Sequence, residues 1–177
     1  DPLHGRENVP AALFDVVVWN AGGSVTSTVA TLTVQTSGGG GETALFDVHF
    51  NSDADGFAYQ DDLFRGTNEP NYAAGNYIAS GGFTGGALRV AIGGINSQNV
   101  QNMSGGWHRS FTLGVPTSVT LSFRYRLTET AEYETDEFSQ MLVSVDGVLH
   151  GVTPNDYIAQ VVGGGPTTTG WQLVQIN

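Results

Sequence analysis

Ser118-Val-Thr-Leu-Ser-Phe-Arg-Tyr-Arg-Leu127 alternates apolar and polar residues without a break. Val119, Leu121, Phe123, Tyr125 and Leu127 fall on one side of an extended backbone and Thr120, Ser122, Arg124 and Arg126 on the other, because successive side chains of a strand point to opposite faces. One face is therefore core and the other meets solvent. The same period of two runs through Trp107, Arg109, Phe111 and Leu113, with His108, Ser110 and Thr112 opposite. Gly86 to Gly93 (GALRVAIG) supplies another strand. Phe138 to Val145, then Asp146-Gly147, then Val148 to Val152 reads as a hairpin closed by a two-residue turn. Tyr157 to Val162 and Trp171 to Ile176 complete the series. A 3.6-residue apolar period persists over no helix-length window, so the chain is expected to be all-β. Many short strands punctuated by glycine and asparagine imply two packed antiparallel sheets.

Upstream, Leu13 to Trp19 (LFDVVVW) and Ser24 to Gln35 (SVTSTVATLTVQ) are rich in β-branched residues and flank Asn20, Ala21, Gly22 and Gly23. This pattern predicts a β-hairpin. Thr36 and Ser37 lead into four consecutive glycines, Gly38 to Gly41. The expected organisation is a hairpin module over residues 1–35, a glycine-rich linker over 36–43 and a β-sandwich over 44–177. The sequence stops at Asn177 within a strand-like segment, so truncation at the C-terminus is expected.

Of the 177 residues, 40% are hydrophobic and only 13% charged. With abundant Gly, Ser, Thr, Asn and Gln, this is the usage of a β-rich extracellular protein. The net charge is −11 and all six basic residues are arginine. Such a surface repels phosphate backbones and anionic headgroups, so neither nucleic acid nor a membrane surface is an expected partner. There are no cysteines, which excludes disulfides, thiolate metal sites and cysteine nucleophiles. No run approaches the roughly 18 apolar residues of a membrane-spanning helix. The sequence begins at Asp1 without a basic segment followed by an apolar one, so the expectation is a removed leader or an internal piece of a longer chain.

Two resemblances rest on particular residues. LFDVVVWNAGGSVTSTVATLTV, matched from Phe14 to Val34, resembles the last two strands of an immunoglobulin-like domain of bacterial surface proteins, with Phe14 where that family carries a corner tyrosine. From Phe46 onward the chain resembles a jelly-roll module of large secreted bacterial proteins, similar to carbohydrate-binding and concanavalin-like modules. The residues behind it are Phe50-Asn-Ser-Asp-Ala-Asp-Gly-Phe57, Asp61-Asp-Leu-Phe-Arg-Gly66, Gly85-Gly-Ala-Leu88, Met103-Ser-Gly-Gly-Trp107 and Thr169-Gly-Trp-Gln172. The resemblance implies an antiparallel jelly-roll that binds a ligand beside enzymes or adhesive repeats of the same polypeptide.

Asn51-Ser-Asp53-Ala-Asp55-Gly56, with Asp62 eleven residues after Asn51, has the spacing of a calcium loop. Oxygen donors at positions 1, 3 and 5 turn inward around one ion, glycine at 6 permits the sharp turn, and a carboxylate arrives at 12. Asn51, Asp53, Asp55 and Asp62 are thus the expected calcium ligands, with a polar turn as the competing account. A second acidic group, Glu129, Glu132, Glu134, Asp136 and Glu137, lies between two strands. Concanavalin-like glycosidases carry E-x-D-x-E, or that run with one residue inserted. Glu134 and Asp136 fit its start, but Phe138 and Ser139 stand where the last carboxylate belongs, so the catalytic pair is incomplete. His4, His49, His108 and His150 lack zinc-ligand spacing.

Among the aromatics, Trp107, Trp171, Tyr72, Tyr77, Tyr133 and Tyr157 have faces that match the C–H faces of sugars. Trp107 lies in phase with Phe111 and Leu113 and is expected in the core. Tyr72, Tyr133 and Tyr157, with Glu134 and Asp136, are the expected ligand-binding residues. Together these features predict a non-catalytic, calcium-stabilised binding module of a secreted or cell-surface protein, directed to carbohydrate or another surface ligand. The alternatives are a fragment of a polysaccharide-degrading glycosidase or lyase, and a structural spacer of an adhesin.

Overall fold

The computed structural model describes residues 12–20, 23–35, 43–64, 73–93, 103–113, 118–131 and 133–177. Its strands are β1 (Ala12–Asn20), β2 (Gly23–Gln35), β3 (Thr43–Val48), β4 (Ala58–Asp61), β5 (Ala73–Ile78), β6 (Ala87–Ile92) and β7 (Ser104–Phe111). They continue with β8 (Ser118–Glu129), β9 (Phe138–Val145), β10 (Val148–Leu149), β11 (Ala159–Val162), β12 (Thr167–Thr168) and β13 (Gln172–Ile176). No helix occurs among the described residues, and none is long and apolar enough to cross a membrane.

Two antiparallel sheets form. The first runs β10-β9-β1-β7-β4, with β11 also on β9; the second runs β12-β8-β2-β6-β5, with β13 on β8 and β3 on β2. One apolar cluster draws on both: Leu88, Val90, Leu121, Phe123, Tyr125 and Leu127 from the second sheet meet Trp107, Met141 and Val143 from the first. The molecule is all-β with a sandwich-like core. Trp107 lies inside it as expected, and its indole N–H donates across the sheets to the Arg89 carbonyl at 3.2 Å, which satisfies the one polar atom of a buried ring.

Strand β8 keeps the alternation of its sequence. Leu121, Phe123, Tyr125, Leu127 and Glu129 are buried, while the residues between them are half-exposed. In β9 the residues from Ser139 to Ser144 are all buried, the mark of a strand covered on both faces. Its outward Leu142 packs beneath Leu63, Phe64, Phe138, Leu149 and Tyr157 in a second, smaller cluster. The outer face of β9 is thus covered at Leu142. The Asp146-Gly147 turn has positive φ at both residues, 50° and 75°, as a two-residue hairpin turn demands.

The pairing of β1 with β2 that the expected hairpin requires is not among the strand pairs. β1 pairs with β7 and β9, and β2 pairs with β8, β6 and β3, so the two strands enter different sheets. An Asn-Ala-Gly-Gly connection signals a chain reversal but not whether the next strand stays in the same sheet. A separate hairpin leaves a face unburied and both edges unpaired. Divided between the sheets, each strand has hydrogen-bonded neighbours on both sides. The glycine run 38–41 lies outside the described residues.

Candidate functional site

The outer face of the second sheet is where side chains suited to a ligand come together. Because Tyr125 and Leu127 point inward, Arg124 and Arg126 point out. On β6 the same logic applies: Leu88 and Val90 are buried, which turns Arg89 outward. Arg89 and Arg126 both face Thr26 of β2, so they stand in one cross-strand row. Three of the four described arginines therefore share this face.

Two aromatic rings reach it from opposite sides. Gln172 pairs with Tyr125, which sets the preceding Trp171 at the level of Arg126. The segment before it is tied down by threonines: Thr169 Oγ1 accepts from the Leu127 N–H at 3.0 Å, and the Thr168 hydroxyl donates to the Leu127 carbonyl at 3.0 Å. Phe83 comes from the loop between β5 and β6. That loop is closed by the Gly82 N–H donating to the Gly85 carbonyl at 3.0 Å. Its base is fixed at Gly86, where a Cβ would fall 2.1 Å from the Phe50 carbonyl oxygen, so no larger residue fits.

The four side chains interlock. The Arg124 guanidinium lies 4.1 Å from the Phe83 ring centroid and that of Arg126 4.9 Å from the Trp171 ring, within the range of cation–π attraction. Phe83 and Trp171 meet edge to face at 6.2 Å. Phe83 is 46% exposed and Leu173, beside Arg124 in register, 54%. Among the described residues, neither guanidinium is engaged in an ion pair or a hydrogen bond. Next to this patch, an open groove of about 360 Å³ is lined by His150, Val152, Ile158, Leu173 and Ile176.

Arg109, in phase with Trp107 and Phe111, behaves differently. Its guanidinium lies over Phe46 at 4.3 Å and Phe57 at 5.9 Å and donates to the Asp55 carbonyl at 2.8 Å. It is a structural clamp.

The expected calcium loop forms a tight turn. Asp53 Oδ1 accepts from the Asp55 N–H and Asp55 Oδ2 from the Phe50 N–H, both at 2.7 Å. Phe50, Asp55 and Gly56 have φ of 51°, 49° and 80°. The Asp62 N–H donates to the Ser104 carbonyl at 2.9 Å, and its Oδ1 is enclosed without a hydrogen-bond partner. Among the described residues, no three His, Asp or Glu side chains gather to hold a metal ion.

The expected ligand residues that are described differ in exposure. Tyr133 is 3% exposed, so it offers no ring to a sugar; burial pushes its phenol well above the ordinary range, and the Glu129 and Glu137 carboxylates push the same way. Tyr157 packs in the cluster around Leu142. Glu134 and Asp136 are exposed in the β8–β9 connection, where Glu137 Oε2 accepts from the Glu134 N–H at 2.9 Å. Tyr72 and Glu132 lie outside the described residues. Trp171 was a candidate by residue type, and the outward phase of Arg124 and Arg126 was legible, but nothing local linked them to Phe83, forty-one residues before Arg124. No protein-family model matches the chain, and no curated protein or solved structure matches it either.

Proposed function

We propose that this chain is a non-catalytic binding module of jelly-roll type, part of a secreted or cell-surface protein of several modules, that takes carbohydrate on the outer face of its second sheet. The observation that carries this reading is the joined set of Phe83, Trp171, Arg124 and Arg126. Aromatic faces pack on the C–H faces of sugars, and guanidinium N–H groups supply directed donors to ring and hydroxyl oxygens. Packing of each guanidinium against a ring limits its rotamers before a ligand arrives, which reduces the entropy lost on binding. The face lies on paired strands, and rigid elements position a site better than free loops.

Calcium at Asn51, Asp53, Asp55 and Asp62 remains part of the proposal as a stabiliser of a turn remote in sequence from this face. The test of the binding reading is retention on a panel of immobilised neutral and acidic polysaccharides. The chain is expected to be retained by at least one, and the double substitution Phe83→Ala with Trp171→Ala to abolish retention while the far-ultraviolet spectrum is unchanged. Undiminished retention of the double variant would place the site elsewhere.

A further inference from the structure

We propose that the ligand of this face is an acidic sugar, a polysaccharide bearing carboxylates of the uronate kind; the inference rests on the binding reading above and adds the ligand's charge. The chain carries a net charge of −11, yet Arg89, Arg124 and Arg126 are gathered on one sheet face. In so acidic a protein, arginine on a surface strand has carboxylates in abundance to pair with. Among the described residues Arg124 and Arg126 pair with none. They lean on aromatic rings instead. Asp47, farther along the same face in the row of Ser122, is 3.5 Å from His49.

A guanidinium stacked on a ring spends its face on that ring and keeps its N–H edge. That edge is a planar fork whose geometry matches a carboxylate through two parallel hydrogen bonds. Arg124 and Arg126 are two residues apart on one strand, so their backbones are about 7 Å apart along it. Arg89 lies two strands away in the row of Arg126, about 10 Å across the sheet. The result is a row of cationic forks bordered by Phe83 and Trp171, which suits a chain of sugars with repeated carboxylates better than one neutral ring. The remaining acidic surface repels polyanions at long range, but over more than about 8 Å that repulsion is screened at physiological salt. Short contacts at the patch survive it.

The test uses the intact chain and four polymers at physiological salt: polygalacturonate, its fully methyl-esterified form, alginate and dextran sulfate, with affinity read by calorimetry or by retardation in polymer-containing gels. Binding to polygalacturonate or alginate is expected, together with loss of galacturonan binding on esterification, which keeps the sugar and removes the charge. Arg124→Gln and Arg126→Gln should each raise Kd about tenfold, the worth of one charge-assisted contact, and Arg→Lys should recover only part of it. Equal binding of the esterified polymer overturns the acidic-sugar inference and leaves the binding reading standing. Binding to dextran sulfate without either uronate polymer overturns the carboxylate assignment. Binding to none of the four, with retention on neutral polysaccharides, refutes this inference alone; absence of retention on any glycan refutes both.

Discussion

Glu129 closes β8 on the inward side of its sheet and is only 1% exposed. Its Oε1 accepts a hydrogen bond from the Ser139 hydroxyl at 2.5 Å, while Oε2 is enclosed without one. Burial pushes its carboxyl above the ordinary glutamate range, and the bonds from Ser139 oppose that shift without reversing it. A carboxyl whose folded pKa is raised binds its proton more readily in the folded state. Its contribution to stability is therefore complete below the unfolded value, near 4.3 for a free glutamate, and is lost as pH rises through the folded value. Glu129→Gln keeps an oxygen for Ser139 and removes the charge. We expect the variant to match the parent in denaturant melts at pH 4 and to exceed it at pH 8 by on the order of 1 kcal/mol, the scale of one poorly satisfied buried polar group. A constant difference across that range would show that the Glu129 carboxyl titrates alike in the folded and unfolded states, contrary to the raised pKa.

At the scale of elements, the 50–57 turn and strand β8 carry opposite lessons. In the turn, Asp53 and Asp55 bond to backbone N–H groups within five residues. Asp55→Ala should cost about 1–2 kcal/mol, as the loss of a charge-assisted bond to a backbone amide does. The loss should be the same with EDTA as with calcium if these carboxylates serve only the turn, whereas a bound ion would raise the parent's melting temperature with calcium concentration and leave the variant behind. The motif was plain in the sequence, because a spacing of alternate oxygens is a local pattern. Whether those oxygens face an ion or their own amides depends on φ angles at Phe50, Asp55 and Gly56 that spacing does not encode. Strand β8 was legible throughout, since burial follows a period of two and each position reports its own face. The loops were not. Tyr133 and Tyr157 sit between strands, where polar neighbours suggest exposure, yet one is buried and the other packs against Leu142.

For the whole molecule, β1 and β2 decide the architecture. β2 pairs with β8 through twelve residue pairs and also holds β6 and β3; β1 joins β7 to β9. Without them neither sheet is continuous. Residues 44–177 alone are therefore expected to lack a cooperative thermal transition, as read by calorimetry; a transition matching that of the full chain would support the two-module division. β2 also lies between the strand of Arg124 and Arg126 and the strand of Arg89, so the patch exists only in the assembled sheet. That is why it was invisible along the sequence: Phe83, the arginines and Trp171 are brought together by pairing between distant segments.

The location of the site is tested most directly by nuclear magnetic resonance of the intact chain during titration with oligogalacturonate. The chain has three tryptophans, and their indole N–H signals separate the candidates. Trp171, beside Arg126, should shift with the amides of Phe83 and β13, while Trp107, bonded to the Arg89 carbonyl inside the core, should stay in place. Saturable shifts confined to residues 51–62, or to the surroundings of Tyr133 and Tyr157, with Trp171 unmoved, would contradict the account.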